Sequence, residues 1–120
     1  MLNNVSLNGR LTSDPQIKYT PNGTPICDFT LAVKRNYTPE QGEDTDFIRC
    51  VAVKKTAETI GNHVKKGNLI GLEGSVQTRS YDDNDGKRVF VTEIFIRQFH
   101  FLEKKESSTP QNNRSNQYNR

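Results

Sequence analysis

The sequence predicts an all-β domain with one short helix, a five-stranded barrel followed by a disordered C-terminal tail. Three observations carry this. Polar and apolar residues alternate with period two through Val5–Leu11, Cys27–Val33 and Ile70–Arg79. Only one stretch, Thr56 to Lys66, spaces its apolar residues as a helix does. From Ser107 onward the chain is mainly Ser, Thr, Pro, Asn, Gln and Arg with little that can pack, so residues 107–120 read as a disordered polar tail behind one domain at 1–106.

The strands and the helix follow in order. Val5, Leu7, Gly9 and Leu11 alternate with Ser6, Asn8 and Arg10, and the internal Gly9 marks a bulge or sharp bend. Ser13-Asp14-Pro15 ends this strand, and Ile17–Thr20 is a short extended piece closed by the turn Pro21-Asn22-Gly23. Cys27, Phe29, Leu31 and Val33 face one way and form the best core strand. Asn36 to Thr45, with Pro39, Gly42 and acids but no periodicity, reads as an exposed mobile loop with Tyr37 at its base. Asp46–Lys55 returns to strand composition. Phe47, Arg49, Val51 and Val53 share one face and Ile48, Cys50 and Ala52 the other, so both faces need cover, one from the core and one from a subunit or a ligand.

In the helix, Ala57, Ile60 and Val64 fall at i, i+3 and i+7; Thr56 suits the N-cap and Gly67 the C′ position. Gly61 weakens it by up to ~1 kcal/mol relative to alanine. Lys65 and Lys66 in the last turn admit two readings, complementing the helix dipole or facing a polyanion.

Leu69 to Phe101 reads as one long hairpin. Ile70, Leu72, Gly74 and Val76 form its core face, Glu73, Ser75, Gln77 and Arg79 its polar face, and Asp82–Gly86 the turn. Tyr81 shares the parity of Gln77 and Arg79, so a large ring continues the polar face. It is either an edge-strand tyrosine with a wet hydroxyl or a flat platform beside a guanidinium, suited to stacking on bases.

Charge is balanced. The 17 Lys and Arg face 14 Asp and Glu, and the excess comes partly from Arg114 and Arg120 in the tail. Placement matters more: acids gather in Glu40–Asp46 and Asp82–Asp85, away from Lys34, Arg35, Lys54, Lys55, Lys65, Lys66 and Arg79, and segregation of this kind can build a basic stripe on a nearly neutral protein. Cys27 and Cys50, far apart and inside apolar strands, read as buried reduced thiols. With no apolar run near the roughly 20 residues of a membrane span and no signal-peptide pattern, a cytoplasmic protein is expected.

Enzyme chemistry is not expected, nor is a cofactor or a metal. Two histidines and two cysteines at scattered positions lack zinc spacing. Aligning Gly86 with the sixth position of a calcium loop puts Tyr81 and Thr92 where acids must stand. Phosphate-loop, nucleophile-elbow and HExxH motifs are missing, and Asp82 and Asp85 sit in a solvated turn. The strand order, with one helix between the third and fourth strands, is the layout of an OB-fold barrel, which binds oligonucleotides on its second and third strands and nearby loops. Tyr37, Phe47 and Tyr81 fall in or beside those elements, and each ring stacked on a base is worth ~1–3 kcal/mol.

Asn4-Val5-Ser6-Leu7-Asn8-Gly9-Arg10-Leu11, Asp14-Pro15, Lys18-Tyr19-Thr20-Pro21-Asn22-Gly23, Phe29-Thr30-Leu31-Ala32-Val33, Lys55-Thr56-Ala57-Glu58, Lys66-Gly67, Glu73-Gly74, Thr78-Arg79-Ser80-Tyr81 and Asp85-Gly86 occur in an order and spacing that resembles the bacterial and phage single-stranded DNA-binding proteins, the SSB family. The resemblance spans Asn3 to about Phe101. It implies a homotetramer of OB domains that wraps single-stranded DNA without sequence preference. It puts stacking aromatics at Tyr37, Phe47 and Tyr81 and basic contacts at Lys18, Arg49, Lys55, Lys65, Lys66 and Arg79. The chain departs from the family's pattern twice. Val53 stands where many relatives carry a fourth stacking aromatic, and the chain ends Gln117-Tyr118-Asn119-Arg120 instead of in an acidic tip with Pro-Phe, which argues against recruiting protein partners through that tip. The expectation is a single-stranded DNA-binding protein of replication, recombination or repair. The alternative is an OB-fold accessory subunit of a primosome or recombination complex, whose rings bury against protein.

Overall fold

The computed structural model describes residues 1–36 and 44–103. Along them run β1 (Val5–Leu11), β2 (Gln16–Tyr19), β3 (Pro25–Lys34), β4 (Thr45–Val53), α1 (Lys54–His63), β5 (Leu69–Asp82) and β6 (Arg88–Phe101). All strands belong to one sheet ordered β1-β5-β6-β4-β3-β2, and a β1–β3 pairing joins the ends of a ring. The closed ring is β1-β5-β6-β4-β3, the five-stranded barrel that the sequence predicts. The short extended piece is a sixth strand: β2 lies on the edge of β3, with Gln16 opposite Asp28 and Tyr19 opposite Pro25.

Closure depends on Gly9. β1 pairs with β5 from Val5 to Arg10 and then with β3 at Arg10 and Leu11. A Cβ at Gly9 would run into the Ala32 carbonyl oxygen, so only glycine lets the two backbones come this close. The register through Gly9 is unbroken, which replaces the expected bulge with a close backbone approach. The irregularity lies instead in the β5–β6 ladder, where Glu73 pairs with Gln98 and Gly74 with Ile96, so that Arg97 of β6 is the extra residue.

Inward-facing Leu11, Cys27, Phe29, Leu31, Cys50, Ala52, Ile70, Leu72, Ile94 and Ile96 form the core, closed by Ala57, Ile60 and Val64 from the helical segment. Each large aliphatic side chain buried here contributes about 1.5–3 kcal/mol. Cys27 and Cys50 are buried and free. Burial, with Asp28 adding to it for Cys27, pushes the two thiols up to about 11 and about 12.

The helix ends differ from the expectation. α1 starts at Lys54 directly after β4, with Val53 as an N-cap that makes no side-chain bond, so Thr56 is the third helical residue and not the cap. Lys54 turns the chain from strand to helix with φ 58°. At the other end Val64 is the C-cap, and Lys65 and Lys66 lie in the turn just beyond it instead of in the last helical turn. Gly67, φ 86°, serves that turn: its N–H donates to the Leu11 carbonyl at 2.9 Å and its own carbonyl accepts from Arg10 at 2.8 Å, drawing the chain back to β1.

The β5–β6 ladder runs from Ile70–Phe101 out to Asp82–Arg88. Its neighbours stop earlier, β1 at Gly74 and β4 at Ile94 and Phe95. The outer half is therefore a free two-stranded arm, and Val76, expected in the core, is exposed because no barrel lies beneath it. At the tip, Asp83 Oδ1 accepts the N–H groups of Asp85 and Lys87, both at 2.9 Å, and Gly86 takes φ 79°. The expected loop over Asn36–Thr45 narrows at its described end: Thr45 opens β4, and Arg35 N–H donates to the Asp44 carbonyl at 2.8 Å. Tyr37 and the tail at 107–120 lie outside the described residues.

Candidate nucleic-acid interface

The candidate surface is the outer face of β2, β3 and β4, continued along one face of the arm. Strand alternation turns Cys27, Phe29, Leu31, Cys50 and Ala52 inward and so turns Asp28, Thr30, Phe47, Arg49, Val51 and Val53 outward. Register then sets the rows: Lys18 with Ile26 and Val53, Gln16 with Asp28 and Val51, Thr30 with Arg49, Ala32 with Phe47. Parallel pairing of Val51 with Phe95 brings Glu93 beside Arg49, and the arm ladder adds Gln77 opposite Glu93, Arg79 opposite Val91 and Tyr81 opposite Val89.

A chain of charges binds these rows together. Arg49 Nη2 donates to Asp28 at 2.8 Å and Arg49 Nε to Glu93 Oε2 at 2.9 Å, while Arg79 Nε donates to Glu93 Oε1 at 3.1 Å. The Arg79 guanidinium carbon lies 6.0 Å from the centroid of the Tyr81 ring, within cation–π range. Burial works against the charge on Arg49, but its bonds to Glu93 and Asp28 outweigh that and hold the guanidinium above its ordinary pKa. Arg49, Arg79, Tyr81 and Val91 line one open concavity, and Arg49 also lines a second with Lys18, Gln16, Asp28 and Thr30. Arg49 thus joins the two into one continuous surface.

The rings on this face are accessible. Phe47, two residues from Arg49, is 64% exposed and Tyr81 49%, although leaving such apolar area in water costs about 25 cal/mol per Å². Five of the residues singled out from the sequence therefore share one face: Lys18, Phe47, Arg49, Arg79 and Tyr81. Lys55, in the first turn of α1, and Lys65 and Lys66, in the turn after it, are exposed but line neither concavity. The backbone of Lys66 is tied to the bend after β1 through Asp14 Oδ1 at 2.7 Å. Val53, half-buried, stands in the row with Lys18.

Sequence reading missed the two carboxylates, Asp28 and Glu93, that hold the arginines. Glu93 has the parity of Val89 and Val91, so counting the hairpin register back from the Asp-Gly turn locates it on the face of Tyr81. It also missed two exposed rings, Tyr19 at 64% and Phe90 at 77%; Phe90 lies on the opposite face of the arm, across from Ser80. Among the described residues no group of three or more acidic, His or Cys side chains is placed to hold a metal ion. What the face offers is two flat rings, two planar guanidinium groups and an ammonium on an open β-surface, a set suited to stacking and to hydrogen bonding with anions.

Comparison with known proteins agrees with this surface. The model of the single-strand binding protein family matches residues 2–102. The chain is 53% identical over 110 residues to the single-stranded DNA-binding protein of Halalkalibacterium halodurans, covering 91% of this chain and 66% of that one. It is 52% identical over 109 residues to single-stranded DNA-binding protein 2 of Listeria monocytogenes, covering 90% and 68%. It is 51% identical over 106 residues to single-stranded DNA-binding protein A of Bacillus subtilis, covering 88% and 62%. The chain thus spans about two thirds of the length of these relatives. A barrel closed as an OB-fold, an open face of rings and arginines, and a family match across the whole described domain converge: the chain belongs to the single-strand binding protein family.

Proposed function

We propose that this protein binds single-stranded DNA without sequence preference, as a non-enzymatic coat in replication, recombination or repair. The observation that carries the reading is the accessible Tyr81 ring with Arg79 6.0 Å away, on the same face as Arg49 and Phe47. Rings of this kind stack on any base, because every base has a π-face, and so affinity comes without sequence readout. Phe47 and Tyr81 each hold a base; Lys18, Arg49 and Arg79 meet the backbone between them. Tyr37 is assigned to a further base, and Lys55, Lys65 and Lys66 to phosphates outside the two concavities. Val53 cannot stack, which weakens that row or shifts the binding mode.

The working form in this reading is a homotetramer of the domain at 1–106, with 107–120 as a disordered polar tail, acting in the cytoplasm at the nucleoid. The names of the relatives support single-stranded DNA as the ligand. No helix among the described residues is long and apolar enough to cross a membrane.

Titration of a dT oligonucleotide at several salt concentrations tests the reading. Counterion release predicts that affinity falls steeply as salt rises. Absent or salt-independent binding would favour the accessory-subunit alternative, in which the same rings bury against protein. Solution mass with and without dT oligomers reads the assembly.

A further inference from the structure

Glu93 stands between the two arginines of the face and differs from both. Its side chain is 12% exposed, against 39% for Arg49 and 48% for Arg79. Its two oxygens serve different partners, Oε2 accepting from Arg49 and Oε1 from Arg79. Asp28 takes a second nitrogen of Arg49. Two guanidinium charges thus face two carboxylates, and the centre of the proposed DNA surface is neutral although it holds two arginines.

Resting on the single-stranded DNA reading above, we propose that Glu93 is a positioning residue of the binding face: it fixes Arg79 beside the Tyr81 ring and Arg49 in the adjacent row, and its charge withholds counter-charge from DNA phosphate. Phosphate does not displace it. A carboxylate so nearly buried, stripped of both donors, would be left charged and unpaired, which is strongly unfavourable. Arg79 is held through Nε alone among the described contacts, so both of its Nη groups serve the incoming strand while the plane beside Tyr81 stays set. The face then presents flat groups at a fixed spacing.

The test uses the full chain, a dT oligonucleotide and a salt series. Glu93→Gln keeps an acceptor oxygen and the side-chain shape but removes the charge. It should bind several-fold tighter at low salt and steepen the log–log salt dependence by up to about 0.7, the single-strand increment for one phosphate neutralised. Positioning is read by a double-mutant cycle: the loss caused by Tyr81→Ala should be smaller in a Glu93→Ala background than in the wild type. Should Glu93→Ala fail to fold, Glu93→Gln paired with Arg79→Ala replaces it, and the gain from Glu93→Gln should shrink when Arg79 is absent. An unchanged or flatter salt slope in Glu93→Gln, or full additivity in the cycle, overturns the inference while leaving DNA binding in place. A wild type that does not bind dT at all removes both readings together.

Discussion

Ile17 of β2 fills the notch that Gly61 leaves in α1. A Cβ on Gly61 would collide with Cγ1 and Cδ1 of Ile17, so the mid-helix glycine is the seat through which the helix docks on the sheet edge. Intrinsic propensity favours alanine over glycine in a helix by up to ~1 kcal/mol, whereas forcing a β-branched side chain on a paired strand to move costs ~1–3 kcal/mol. Packing wins. Gly61→Ala should therefore lower stability in urea denaturation, and Ile17→Ala should cancel much of the further loss when the two are combined. A Gly61→Ala protein more stable than the wild type would show that Ile17 yields freely.

Phe47 and Tyr81 touch water over most or half of their surface, so truncating either leaves little of the core disturbed. Each alanine variant should lose ~1–3 kcal/mol in oligonucleotide binding with an unchanged unfolding midpoint. Equal affinity in both variants would mean that the rings do not stack on bases.

Arg79 is the more exposed of the two bridged arginines and carries a single described hydrogen bond. Arg79→Ala should weaken binding and flatten the log–log salt dependence by up to about 0.7. The sign is opposite to that expected for Glu93→Gln, because one variant removes a positive charge and the other a negative one. A salt slope equal to that of the wild type would take Arg79 out of the phosphate contacts.

The two thiols predict a loss of stability in alkali. In the fold Cys27 ionises at about 11 and Cys50 at about 12, against an ordinary 9.0. Well below pH 9 both are neutral in the folded and unfolded chains. As pH rises from there, the unfolded chain gains by ionising while the buried thiols cannot, so stability falls until the folded values near 11 and 12 are passed. Unfolding free energies measured from pH 8 to 11 should decline with a slope that flattens in the Cys27→Ala, Cys50→Ala double variant. A slope identical in both proteins would assign the decline to other groups.

Much of the fold was legible because short-range periodicity carries it. Alternation at Cys27–Leu31 and Ile70–Leu72 named core residues that are indeed buried, with Val33 only partly so, and the spacing of Ala57, Ile60 and Val64 found the face by which the helical segment closes the barrel. The sequence could also place Tyr81 and Arg79 on one face of a strand, since parity alone decides that.

Where that alternation loses its meaning was a tertiary matter. Val76 keeps the parity of Leu72 but leaves the core, because burial depends on whether another strand lies below and both neighbours of the hairpin end near Gly74 and Ile94. Helix limits shifted for a similar reason: Val53 and Lys54 turn directly into α1, and Gly67 answers to Leu11 across the barrel, not to the helix it follows. The pairing of Arg49 with Glu93 joins residues 44 positions apart through a parallel strand contact. Local patterns decided which side chains face outward; only closure of the barrel decided which of them meet, since the register between distant strands is set by the packing of the core they share.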